Sequence, residues 1–148
     1  MFTYVPDIHL ELVKDKVLPL LDRAGDRSGG RFAGMDFMNM VEDGSHQLWI
    51  TIDDDEEIIG ATTTNIHANR NLRVMEIIAQ GGSGMDDMYL SEALSALEAF
   101  AIDNECDVVR IVGRHGWEKV LSGYGYQKVH IVLEKEMPNG RLKDNYKD

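Results

Sequence analysis

Glu76 and His67 are side chains that can take a proton from a substrate, a carboxylate and an imidazole on two segments that both read as strands. Either would act as a general base if an amine bound against the sheet that those strands build. Gln80–Gly84 (QGGSG) offers a second kind of chemistry. A glycine-rich turn between a strand and a helix start presents backbone N–H groups to a phosphate, and Gln80, Gly81, Gly82, Ser83 and Gly84 stand at that junction. Asp86 and Asp87 follow after Met85. They put negative charge at the same helix mouth and one or the other, Asp86 or Asp87, supplies its N-cap, so the turn can also serve only its own side chains. Arg114, just past another strand, can hold an anion or pair with one of the chain's carboxylates.

Several other residues have the type for chemistry but the setting of structure. Cys106 lies between a helix and a strand with no fixed histidine partner, which makes it a small core residue rather than a nucleophile. Trp117 reads as a packing anchor and His130 as exposed. Asp53–Glu57 (DDDEE) crowds carboxylates together, yet a calcium loop spaces its ligands at alternate positions and closes with a distant glutamate. Here the run is a solvated hairpin tip whose charges discourage edge pairing.

The elements that must position these groups follow from periodicity. Met1–Val5 reads as a short edge strand and Asp7–Arg23 as a helix with Leu10, Val13, Val17 and Leu21 inward, Ile8, Leu12 and Leu20 beside them, and Gly25 as its stop. Gly25–Gly34 is glycine-rich enough for a mobile loop, and Met35–Glu42 is a short helix. His46–Asp53, Glu57–His67 and Leu72–Ala79 alternate like three strands of a meander. A long helix over 87–104 lines up Leu90, Leu94, Leu97 and Ala101. The strand 107–113 then leads to a short helix with Trp117, Val120, Leu121 and Tyr124 on one side, and Tyr126–Met137 alternates as a final strand. The fold class is therefore α/β of the α+β type: a mixed, mostly antiparallel sheet flanked by helices, with 72–79 and 107–113 as the one parallel pair, because only that connection contains a long helix.

At 148 residues the chain suits one domain over 1–137 with a polar tail over 138–148, which a neighbour or the domain itself would have to hold in place. The net charge of −11 repels nucleic-acid backbone and anionic membrane, so neither is expected as a partner. A single cysteine excludes an internal disulfide, and no apolar run is long enough to span a bilayer. The expectation is a soluble, unprocessed protein.

The order of these elements resembles the GNAT-type N-acetyltransferase fold along almost the whole chain. DDDEEIIGA resembles that family's second hairpin, QGGSG sits where its pyrophosphate-binding loop belongs, and VLSGYGYQKV resembles its helix ending in a Gly–aromatic pair. The resemblance implies acetyl-CoA as cofactor and an amine as acceptor. The sequence departs from the family pattern at two places. Counted from Gln80, the loop-glycine positions hold Ser83 and Met85, and the usual tyrosine acid, counted back from Tyr126, is Leu121. Tyr124 or Tyr126 replaces that acid only if the helix is shifted in register. IIAQGG, LEAFAIDNECDVVRI and GRHGWEKVLSGYGY are also similar to GNAT-like proteins of tailed bacteriophages, some of which resemble an internal virion protein.

Two functions follow from the resemblance. One is a non-catalytic structural or interaction module with a degenerate acetyl-CoA site and no cofactor, an oligomer or a partner of other virion proteins, found in the host cytoplasm or built into a virion. The other is a working acetyl-CoA-dependent N-acetyltransferase, with Glu76, His67 and Tyr124 as its catalytic candidates.

Overall fold

Three alternating segments in succession followed by a long amphipathic helix have to form a sheet with that helix on one face. The computed structural model describes residues 1–86, 88–113 and 115–141. Its elements are β1 (Phe2–Val5), a 3-10 turn (Asp7–His9), α1 (Leu10–Asp26), α2 (Gly34–Glu42), β2 (His46–Ile52), β3 (Ile58–Ala68), β4 (Arg73–Gly82), α3 (Leu90–Asp103), β5 (Val108–Ile111), α4 (His115–Leu121) and a closing 3-10 turn (Ser122–Tyr124). The strands lie side by side in chain order. The first three pairings are antiparallel, and β4 pairs parallel with β5 from Val74↔Val108 to Ile77↔Ile111. The parallel pair is the one the helical crossover requires.

Each face of the sheet carries its own core. Val17, Leu20 and Leu21 of α1 and Phe37, Met38 and Val41 of α2 pack on Leu48, Ile50, Ala61 and Ala79. On the other face Leu90, Leu94, Leu97 and Ala101 of α3 and Leu121 of α4 pack on Phe2, Trp49, Met75 and Ile77. Phe2 stacks on Trp49 at 5.4 Å, and Phe100 meets Trp49 edge-on at 5.2 Å. Between β3 and β4 the register slips: Thr63 faces Ala79 and Thr64 faces Ile77, so Ile78 has nothing opposite it. This is a β-bulge, which bends a strand and strengthens its twist.

The structure corrects several readings of the sequence. Residues 126–137 form no strand despite their alternation. Ile8 and Leu12 are exposed; they share one side of the chain's first helical stretch, but that side faces water, and Leu10, Val17, Leu20 and Leu21 carry the buried stripe. Gly25 does not stop α1, which runs one residue further, because Gly25 sits against the main chain of Phe32 and Ala33 where no side chain would fit. Val120 is exposed rather than part of the buried side of α4. The N-cap of α3 is Tyr89, which makes no side-chain cap bond, so Asp86 is not the cap. Asp87, Arg114 and the tail residues 142–148 lie outside the described residues.

The glycine-rich segment after α1 is a pinned connection. Ser28 Oγ donates to the Gly25 carbonyl at 2.6 Å and accepts from the Phe32 N–H at 2.9 Å. Gly29 and Gly30 take positive φ values of 70° and 93° to make the turn between. Asp36 accepts the Ala33 N–H at 2.7 Å and so closes the start of α2.

Candidate functional site

β4 and β5 part company after Ile77↔Ile111, because β5 ends there while β4 continues to Gly82 past its bulge. A cleft of about 520 Å³ opens along the divergence. One wall is β4 from Glu76 to Gln80, the other Ile111, Val112 and Gly113, and the ends are closed by Arg27, Ser28, Phe32 and Phe37 on one side and by Met85, Asp86 and Trp117 on the other. A gap at diverging parallel strands is where an α/β sheet can admit a ligand between its layers.

Cross-strand register builds a polar row beside this cleft. His46 is opposite Asn65, Asn65 opposite Glu76, and Glu76 opposite Arg110, so all four side chains share one face. His67, two residues on from Asn65, joins them. Glu76 Oε1 accepts from Arg110 Nη2 at 2.5 Å and lies 3.1 Å from His67 Nε2, while Arg110 Nη2 is 3.3 Å from the same ring nitrogen. One nitrogen cannot both donate to Glu76 and accept from Arg110. The carboxylate is the stronger acceptor, so the favoured arrangement points Nε2–H at Glu76 and leaves Nδ1 with the lone pair. Burial pushes His46 below its ordinary imidazole value, against the pull of Asp43 and Glu76, so its ring is neutral at pH 7.

The two sequence candidates for a general base are thus brought together, and Arg110 completes the group. Sequence reasoning did not single out Arg110 as a functional residue; the available signal was a lone charge in the otherwise apolar strand VVRI. Of the three, Glu76 lines the cleft. Its carboxylate is engaged by a guanidinium whose Nε is buried without a hydrogen-bond partner. Glu76→Ala should cost about 1–3 kcal/mol, since it leaves Arg110 without its counter-charge. Glu76→Gln, which keeps an acceptor, should cost less; urea unfolding of both variants checks the order.

The turn after β4 uses its glycines for conformation. Gly82 (φ 71°) and Gly84 (φ 150°) are left-handed, and a Cβ would come within 2.3 Å of the Ile59 carbonyl at the first and 2.4 Å of Thr51 Oγ1 at the second. The functional glycines therefore stand one residue ahead of the positions counted from Gln80. Three main-chain donors between the turn and the helix start are taken. Ser83 N–H bonds to the Ile59 carbonyl at 2.8 Å, and the Tyr89 and Leu90 N–H groups bond to the Asp86 carbonyl at 3.0 and 2.8 Å. Gln80 accepts from Thr62 Oγ1 and donates to the Gly81 and Gly82 carbonyls. Around the mouth of α3, partial desolvation and then Asp53, Asp54, Asp86 and Glu92 push the Tyr89 hydroxyl up, a sign of concentrated negative charge.

The tyrosines after α4 sit away from the cleft. Tyr124 is exposed and lines none of it. Tyr126 donates to Glu98 Oε2 at 3.0 Å, and burial with the Glu98 charge raises its pKa far above the ordinary phenol value. Leu121 is 2% exposed and belongs to the α3-side core. Among the described residues no group of three or more His, Cys, Asp or Glu side chains is placed to hold a metal. No described helix is long and apolar enough to cross a membrane.

No protein-family model matches the sequence, and no curated protein sequence matches it. Solved structures match its fold. A probable acetyltransferase superposes with a TM-score of 0.67 at 11% identity, over 95% of this chain and 98% of that one. A predicted acetyltransferase with acetyl-CoA from Clostridium acetobutylicum gives 0.65 at 14% identity, over 92% and 95%. A GNAT family acetyltransferase from Staphylococcus aureus gives 0.60 at 15% identity, over 93% and 98%. At these identities the likeness is one of architecture: five strands, one parallel pair and flanking helices give this chain the GNAT fold.

Proposed function

We propose that this chain is a GNAT-fold binding or assembly module that does not turn over acetyl-CoA at a useful rate. The observation that carries the reading is the turn from β4 to α3, where the N–H groups of Ser83, Tyr89 and Leu90 are spent on main-chain carbonyls. A pyrophosphate needs such donors and a positive helix end. Here Asp86, just ahead of the helix, instead puts negative charge at that end. Proton supply is also poor, since Leu121 is core, Tyr126 is bound to a carboxylate and Tyr124 does not line the cleft. The resemblance of IIAQGG, LEAFAIDNECDVVRI and GRHGWEKVLSGYGY to GNAT-like proteins of tailed bacteriophages is what suggests a role beside other virion proteins.

Titration calorimetry and thermal melts with acetyl-CoA test this. A ligand at 100 times its Kd would stabilise the fold by about 2.7 kcal/mol, so melts up to about 1 mM acetyl-CoA should not move. Asp86→Asn should raise any residual binding of the anion, because it removes one like charge from the helix mouth. Micromolar binding by the unmodified chain, with acetylation of an amine in a broad panel, would establish the enzyme instead.

That second reading, an acetyl-CoA-dependent N-acetyltransferase, is favoured by one observation. The cleft opens beside the β4 bulge with Glu76 on its wall and His67 hydrogen-bonded to it, a base placed where an amine could enter. On this reading Glu76 or His67 would take the amine proton as the nitrogen attacks, and positioning would supply most of the rate.

A further inference from the structure

The two ends of the cleft carry opposite charge. Arg27 stands at the end beside Phe32 and Phe37, and Asp86 at the end beside Met85 and Trp117. These ends face opposite layers of the sheet: Phe37 belongs to the core under α1 and α2, and Met85 to the core under α3, with Trp117 packed against it. Between them the cleft is apolar, with Ile78 and Ala79 on one wall and Val112, 59% exposed, on the other. Its volume of about 520 Å³ falls in the range of about 300–1,000 Å³ over which a cleft encloses a small molecule.

Among the described residues four charged side chains border the cleft, and two of them are matched within the chain. Glu76 holds Arg110, and Arg31 pairs with Glu134. Neither Arg27 nor Asp86 has a side-chain hydrogen bond or ion pair among the described residues. Each suits the dipole of the helix end beside it, Arg27 as the C-cap of α1 and Asp86 just ahead of α3, which explains the presence of the two charges. It does not explain their placement across one apolar gap. A guanidinium offers two parallel N–H donors to a carboxylate, and an exposed carboxylate attracts an ammonium group. A molecule with a single charge would satisfy one end only.

We propose that the cleft binds a small molecule with a carboxylate at one end and an ammonium group at the other, joined by an apolar middle. The carboxylate sits on Arg27, the ammonium group on Asp86, and the middle between Ala79 and Val112. The proposal rests on the reading of this chain as a binding module that does not take acetyl-CoA, and it names the chemistry of the ligand.

Amide NMR titrations of the full chain test this, with ω-amino acids of about five to twelve carbons and the alkyl acid and alkyl amine of each length as probes. Because both charges are exposed and screened, dissociation constants near about 1 mM are expected. Affinity should pass through a maximum at one chain length. At that length the amino acid should bind at least about threefold tighter than either singly charged analogue. Arg27→Ala should remove its advantage over the amine, and Asp86→Asn its advantage over the acid, with the other advantage left in place each time. Both are surface substitutions, so melting temperatures should fall by a few degrees at most. An affinity that rises steadily with chain length, as apolar burial alone would give, overturns the proposal. So does an amino acid no tighter than its analogues, a substitution that removes both advantages or neither, or amide signals of Ala79 and Val112 that stay fixed up to about 10 mM. Acetyl-CoA melts keep the underlying reading apart. Flat melts beside failed titrations leave the module standing without this ligand, and melts that rise overturn the module and the proposal together.

Discussion

Leu97→Ala is expected to lower the unfolding free energy by about 2–5 kcal/mol. Leu97 is fully buried at the centre of the α3-side core, among Met75, Ile77, Leu94 and Trp49. Truncating it removes three carbons from that core and leaves a cavity that Trp49, fixed by Phe2, Phe100 and a hydrogen bond to Thr64 Oγ1, is poorly placed to fill. Ile102→Ala on the same helix should change stability by less than about 0.5 kcal/mol, since Ile102 is 74% exposed. Denaturant unfolding of both variants checks the contrast. A Leu97→Ala loss below about 1 kcal/mol would mean that α3 does not pack as described.

Gly81→Ala should be among the most damaging single-methyl additions that do not require a change of backbone region, beside Gly60→Ala, whose Cβ would lie 1.4 Å from the Ser83 carbonyl oxygen. A Cβ at Gly81 would lie 1.8 Å from the Leu20 carbonyl oxygen and 2.6 Å from its carbon, both main-chain atoms of α1. Neither can rotate away, so α1 must lift from β4. Overpacking of this kind costs about 1–3 kcal/mol and more where backbone has to move. Because Arg27 and Ser28 at the end of α1 close the cleft, the same shift should also widen it. Gly116→Ala makes the control: a Cβ there meets nothing within 4 Å, and alanine in a helix should be neutral or stabilising by up to about 1 kcal/mol. Thermal melts of the pair would separate close approach from the general cost of adding a methyl group.

Those contacts also mark what could be read from the sequence and what could not. The stripe Leu90, Leu94, Leu97, Ala101 was legible because helical spacing names a face and the richest face is the buried one. The parallel pairing of β4 with β5 was legible because a helical crossover leaves little choice. Ile8 and Leu12 misled because they make a second apolar stripe, and periodicity does not say which of two stripes meets the sheet. Residues 126–137 misled in the same way: alternation describes how a strand would present its side chains, not whether a sheet edge receives it. At the site, Glu76 and His67 were visible as types, but their contact with each other and with Arg110 depends on the register of three strands. That register includes a bulge that no local pattern announces.

Ile78 acts as a phase slip in β4. From Gln80 onward the odd-numbered residue Gly81 points toward α1, whereas below the slip it is the even-numbered Glu76 that does so, leaving Met75 and Ile77 for α3. Deleting Ile78 would make Ile77 the direct neighbour of Ala79, and since these two already face opposite sides of the sheet, every other side chain of the strand would keep its layer. What would go is the extra residue itself, and with it the bend that a bulge puts into a strand beside the cleft. For anyone redesigning this sheet, a one-residue deletion at Ile78 is therefore a change of strand curvature with the layers held constant.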